Sequence, residues 1–411
     1  MARLLRLFER AFTAISLFFF SQALFIFFVE DPSAADKDSA LLRSIFLLIY
    51  LIAFCLLALR WQKTFKIISR NKWIFFLLAL AVSSTLWSAV PDVTFRKTVA
   101  LVGTTLFGVY LGSSYEFGER LKIMSCTFGV SIVLSFLFGF LLPEYGVMHS
   151  DGLDGNWRGI YFHKSGLGEV MVISFMTFYF LAKTTKRWSY LFKLACLSSL
   201  VLILLAKSAT SLVGAIFIYI ASKALNYLSL KSKASVFLIV MFLLFLLLLT
   251  LLFTVNFNAF LESNGKDITL TGRTPLWATL WEFIKLKFWF GHGYGAFFSA
   301  QLPETQTLWR IHTWKPPHSH NGYIEIAVGL GFVGFFTFII SYLYTVGKAL
   351  LHYLIYKDMM ILWVLLFLLY TLIFNFTEVS FLAINQLNWV ISVASISSLN
   401  SGSTFGKNVK S

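Results

Sequence analysis

Apolar residues run in blocks of about 20 along nearly the whole chain, each long enough to cross the hydrocarbon core of a bilayer as a helix. The blocks fall near residues 11–29, 41–59, 73–90, 95–113, 121–142, 165–183, 189–206, 209–227, 235–255, 321–347, 359–375 and 379–396. They predict an all-α, polytopic integral membrane protein of about 12 transmembrane helices, because a spanning segment must satisfy its backbone groups internally. The short alternating segments of a transmembrane barrel are absent. No internal repeat divides the chain, so residues 1–411 read as a single transmembrane domain.

The polar segments between blocks alternate in character. "MARLLRLFER", "RWQKTFKIISRNK", "KTTKRW" and "GKALLHYLIYKD" are rich in lysine and arginine. "EDPSAADKDS", "WSAVPDVT", residues 143–164 and the long segment 256–320 are not. The positive-inside bias puts the first set and both termini in the cytoplasm and the second set outside. The 256–320 loop, between the ninth and tenth spans, contains "RTPLWATLWEFIKLKFWF". Proline just inside its start and apolar residues at helical spacing predict an amphipathic helix along the outer interface.

Composition supports the membrane reading: 58% of the residues are hydrophobic and 13% charged, against about a quarter charged in soluble domains. The net charge of +15 follows the loop topology and not one basic face, so no nucleic-acid partner is implied. Cys55, Cys126 and Cys196 sit inside apolar blocks and offer no disulfide or zinc framework. The first block is followed by an acidic segment and not a small-residue cleavage site, so no cleavable signal peptide is expected.

The orientation sorts the candidate chemistry. Every histidine except His352 falls on the outer side, as do Arg158, Arg273 and Arg310, which run against the bias. Tryptophans crowd the same loops, where they serve either as an interfacial belt or as platforms for sugar rings. Walker A, dinucleotide, G-x-S-x-G and H-E-x-x-H patterns are missing, so ATP-driven and zincin mechanisms have no support. The segment His318-Ser319-His320-Asn321 has three readings: a zinc site with His312, a pair of interfacial histidines, or a general base at a water-accessible helix start. Arg158 and Arg273 are either snorkelling residues or parts of a planar, permanently charged clamp for a diphosphate. Asp36 and Asp38 either hold a divalent cation or belong to a solvated connection.

His320-Asn321, nine residues, Gly331, two residues and Gly334 reproduce a pattern of the O-antigen ligase superfamily, which the chain resembles. "LWSAVPDVTFRK", "WRGIYFHKSGLG", "SATSLVG" and "TGRTPLW" resemble further segments of that superfamily in the same order; Ser165 departs from its common asparagine. The resemblance implies a metal- and cofactor-independent, inverting glycosyltransferase of the bacterial inner membrane with a periplasmic active site. Its donor would be a glycan on undecaprenyl diphosphate at the lipid interface. His320 would deprotonate the acceptor hydroxyl, while Arg158 and Arg273 would neutralise the leaving diphosphate. His163, Lys164, Arg96, His318 and Asn321 would support substrate binding. A flippase and a chain-length regulator are the implied partners. The "RGIYFHKSGLG" segment looks closest to exopolysaccharide polymerases, with a ligase acting on lipid A core as the alternative. A transporter of lipid-linked sugar is the competing class, and it would carry ionisable groups nearer the bilayer middle.

Overall fold

The computed structural model describes residues 2–28, 39–149, 153–228, 273–312 and 314–401. The expected span at 235–255, Asp36 and Asp38, and the first part of the 256–320 loop lie outside the described residues. Those described are helical with no strand, and the chain is an all-α polytopic membrane protein. The helices are α1 (Ala2–Phe20), α2 (Ala40–Ala58), α3 (Trp61–Arg70), α4 (Lys72–Ser83), α5 (Pro91–Ser114), α6 (Phe117–Leu141), α7 (Pro143–Gly146) and α8 (Lys164–Thr184). They continue with α9 (Ser189–Ala206), α10 (Ala209–Tyr227), α11 (Arg273–Leu286), α12 (Pro303–Ile311), α13 (Gly322–Tyr356), α14 (Met359–Phe374) and α15 (Leu387–Ser401). Among the described residues, six helices are both long and apolar enough to cross a membrane, and α14 is a shorter apolar one.

Burial separates inner helices from lipid-facing ones. α14 buries Ile361 to Leu369 without interruption, and Trp389, Val390, Val393 and Ala394 of α15 are buried beside it. α9 keeps Leu194, Leu197, Val201 and Leu204 exposed, as a helix in contact with acyl chains does. α5 and α15 approach closely through small residues: a Cβ on Gly112 would lie 2.6 Å from the Ala394 carbonyl oxygen.

Basic residues gather at one end of the bundle. Arg10 pairs with Glu119, Arg70 donates to the Asn400 carbonyl at 3.1 Å, and Lys357 reaches the Leu225 carbonyl at 3.3 Å. The opposite end collects the start of α8, the end of α1, the start of α13 and the loop between α14 and α15.

Three elements differ from the hydropathy reading. α1 occupies 2–20 and not 11–29, because its basic first turns are amphipathic and Gln22 and Leu24 adopt left-handed backbone (φ 61° and 62°) that ends the helix. "WQKTFKIISR" is a helix with Ile67 buried and Trp61 and Phe65 outward, not a loop. The last span starts at Leu387 and not at 379, since residues 375–386 are tied into a polar loop by Asn375.

Candidate active site

α13 begins at Gly322 because Asn321 caps it: its Oδ1 accepts the Tyr323 and Ile324 N–H groups at 3.0 and 3.1 Å. The same amide donates to the Phe376 carbonyl at 3.2 Å, so its polar atoms are committed to the backbone. Immediately before the cap, His320 is held at φ 51°, a left-handed conformation uncommon outside glycine. Its backbone N–H donates to His318 Nδ1 at 3.1 Å. The Ser319 hydroxyl donates to the Asn321 carbonyl at 2.7 Å, and the Ser319 N–H is taken by Glu325 at 2.9 Å. These bonds fold "HSHN" into a rigid turn in place of a solvated lead-in.

A second polar turn faces it. Asn375, fully buried, accepts the Ser380 and Phe381 N–H groups at 2.8 and 3.0 Å and donates to the Thr371 carbonyl at 2.8 Å. The loop this creates is docked on the start of α13, where the Gly322 N–H donates to the Asn375 and Glu378 carbonyls at 2.8 and 3.0 Å. Only glycine permits the contact, as a Cβ there would sit 2.0 Å from Asn375 Oδ1.

The two turns and the start of α8 enclose a cavity of about 280 Å³ that His163, Glu169, Arg273, His318, His320 and Glu378 help to line. Arg273, the first residue of α11, pairs with Glu378 at 3.2 Å and donates to the Thr377 carbonyl, leaving other guanidinium protons for a ligand. Glu378 Oε2 stands 4.0 Å from His320 Nδ1, too far for a hydrogen bond. That nitrogen is buried and has no hydrogen-bond partner among the described residues. Burial, reinforced by His318, Arg273 and His163, pushes the His320 imidazole down to about 2, so the ring is neutral. Burial also raises Glu378 above the usual carboxylate range, against the pull of Arg273. His163 Nδ1 accepts the Ser165 N–H at 3.2 Å and lies 2.9 Å from its hydroxyl. The cavity thus joins a permanent cation and two further imidazoles to one neutral imidazole whose buried Nδ1 has no partner among the described residues.

Among the described residues no group of three or more His, Cys, Asp or Glu is placed to hold a metal ion. His312, the third ligand of the zinc reading, instead bonds the Thr279 hydroxyl at 3.1 Å.

A family model described as O-antigen ligase matches residues 194–339, the stretch that contains Arg273, His318, His320 and both motif glycines. The chain is also 24% identical over 273 residues to the exopolysaccharide production protein ExoQ of Rhizobium meliloti (strain 1021). That alignment covers 64% of this chain, and the chain spans 61% of the length of that relative. Both similarities point to the O-antigen ligase superfamily, to which the chain is similar over these stretches.

The expected site residues divide. His320, His318, His163 and Arg273 share the cavity; Arg158, Lys164, Arg96 and Asn321 are not among the residues that line it. Arg158 donates to the Tyr145 and Glu144 carbonyls at 2.8 and 3.3 Å and so braces α7. Lys164 donates to the Lys207 carbonyl at 3.4 Å. Arg96 is exposed, while the next residue, Lys97, turns inward to a neighbouring cavity. Sequence reasoning missed Asn375, Glu378 as a partner of Arg273, and Lys97. The polar run "NFTEVS" after an apolar block was the available signal for the first two.

Gly331 breaks α13 with φ 63° and ψ −168°, and a Cβ there would lie 2.3 Å from the Trp289 carbonyl oxygen. Four backbone groups around the break are taken by residues 288–293. His292 and Gly293 donate to the Val328 and Gly329 carbonyls at 2.9 and 3.0 Å; Phe332 and Val333 donate to the Phe288 and Trp289 carbonyls at 2.9 and 3.1 Å. A broken helix is tolerable in lipid where other backbone takes up the freed groups, as residues 288–293 do here for four of them.

Proposed function

We propose that the chain is a membrane glycosyltransferase that extends glycans carried on undecaprenyl diphosphate, an exopolysaccharide or O-antigen polymerase working at the periplasmic face. The observation that carries this reading is the neutral His320, its buried Nδ1 without a partner among the described residues, beside Arg273 in one cavity, within the stretch that matches the family. A base and an anion site are the two elements that transfer from a diphosphate donor needs. The diphosphate lies against Arg273, with its prenyl tail in lipid. The acceptor hydroxyl oxygen attacks the anomeric carbon as its proton passes to His320. The bond from that carbon to the diphosphate oxygen breaks, its electron pair leaves with the diphosphate, and the anomeric configuration inverts. Glu378, 4.0 Å from Nδ1, stabilises the imidazolium as it forms. Arg158 serves at the rim, where it holds the α7 turn beside the path of the incoming donor. A flippase supplies the lipid-linked units and a chain-length regulator limits the product.

A second reading, transfer of finished glycan to lipid A core, is favoured by the description of the family model. Purified protein incubated with lipid-linked repeat units separates the two. A ladder of longer glycans on the lipid carrier supports the polymerase, and glycan appearing only on added lipid A core supports the ligase. Movement of intact lipid-linked units across proteoliposomes with no new glycosidic bond would mark a transporter and end both.

A further inference from the structure

Beside the His320 cavity lies another of about 200 Å³. The two share Pro317, His318, Val379 and Gln386, so only a wall one side chain thick divides them. Its lining differs in kind from that of its neighbour. Phe297, Ile326, Leu330 and Phe381 form an apolar surface, and Lys97, Glu325 and Gln386 bring the polar side chains. Each polar group has a defined position. The Lys97 stem passes over Gly295, where a Cβ would lie 2.5 Å from Lys97 Cδ, and its ammonium donates to the Gly295 carbonyl at 3.1 Å. Two ammonium protons remain for a ligand. The Ser319 N–H fixes the Glu325 carboxylate at 2.9 Å, in the same turn that carries His320. Gln386 Oε1 is buried without a hydrogen-bond partner among the described residues, a cost that a ligand hydroxyl removes.

One cation and one carboxylate cancel, so this cavity lacks the excess positive charge that suits a diphosphate. A carboxylate and an amide oxygen accept from hydroxyls, an ammonium donates to them, and the apolar surface meets a C–H face. The volume takes one ring and not an oligosaccharide, since drug-sized ligands need about 300 Å³ or more. The geometry points to this cavity as the acceptor subsite, which holds an uncharged terminal sugar ring so that its reactive hydroxyl reaches His320 past His318. The inference rests on the polymerase reading and adds to it the place and chemical class of the acceptor. Lys97, Glu325 and Gln386 are positioning residues in it; the hydroxyl proton still goes to His320.

The test measures two affinities of the full chain in detergent. One probe is the methyl glycoside of the cell's own repeat unit, which has acceptor hydroxyls and no diphosphate; the other is undecaprenyl diphosphate. Lys97→Met, and Ala383→Phe, which fills the cavity from its own wall, should weaken glycoside binding about tenfold or more, equivalent to about 1.4 kcal/mol. Both should hold undecaprenyl diphosphate within about twofold of the wild type, which also reports that they are folded. Arg273→Ala should do the reverse. Unchanged glycoside affinity in both cavity variants, with an active wild type, overturns the acceptor subsite and leaves the polymerase reading standing. A wild type that elongates nothing and binds neither probe removes the polymerase reading, and the subsite with it.

Discussion

His320 combines features that seldom occur together at an interface: left-handed backbone, a buried Nδ1 without a hydrogen-bond partner among the described residues, and a carboxylate at 4.0 Å. A solvated imidazole titrates near 6.5; this one is pushed down to about 2, chiefly by burial. The sign follows directly. Between those values the unfolded chain binds a proton that the folded chain refuses, so stability is full above 6.5 and declines as pH falls through that window. The base form, meanwhile, persists well below neutrality. The kcat/KM profile should therefore show no acid limb centred near 6.5; a limb there would mean that His320 is a solvated ring with no special environment. Glu378→Gln removes the carboxylate facing Nδ1 and should slow turnover about 10- to 100-fold, about 1.4–2.8 kcal/mol of barrier. An unchanged rate would detach Glu378 from the chemistry.

At the scale of elements, the site depends on two irregular pieces of backbone. One is the break at Gly331, sealed by residues 288–293. Gly331→Ala forces a side chain into a backbone region open essentially to glycine alone, at a cost of about 1–3 kcal/mol before the clash with Trp289 is counted. The variant should melt several degrees lower in detergent; equal melting temperatures would show that the break is optional. The other piece is the Asn375 loop. Hydropathy locates long apolar helices well, since lipid admits little else, and eleven of the expected spans correspond to described helices. It cannot see polar loops tucked among helices, because their signal is a handful of hydrogen bonds and not a run of apolar residues. That is why 379–386 was read as membrane span and "WQKTFKIISR" as loop. The motif at His320 was legible as a site, but the role of Gly331 was not, since a glycine that breaks a helix and one that packs it look alike in sequence.

At the scale of the molecule, basic residues collect at one end and the candidate site at the other, which is the arrangement the proposed periplasmic chemistry requires. Single cysteines in a cysteine-free background test it. Gln306→Cys on α12 and Lys66→Cys on α3 are both at exposed positions. A membrane-impermeant maleimide applied from the periplasm should label the first and spare the second until the membrane is opened; the opposite pattern would invert the orientation. Several expected binders, Arg158, Lys164 and Arg96, are outside the cavity lining because sequence order cannot reveal which cations converge. Arg273 does converge, held by a glutamate more than a hundred residues away in sequence. The account as a whole turns on base and anion site acting in one cavity. Its most direct measurement is single-turnover elongation of lipid-linked repeat units by purified wild type and by His320→Ala, with binding of undecaprenyl diphosphate followed in parallel. The account predicts that His320→Ala binds the lipid diphosphate normally and loses about 10²- to 10⁴-fold in the rate of bond formation; elongation at the wild-type rate would contradict it.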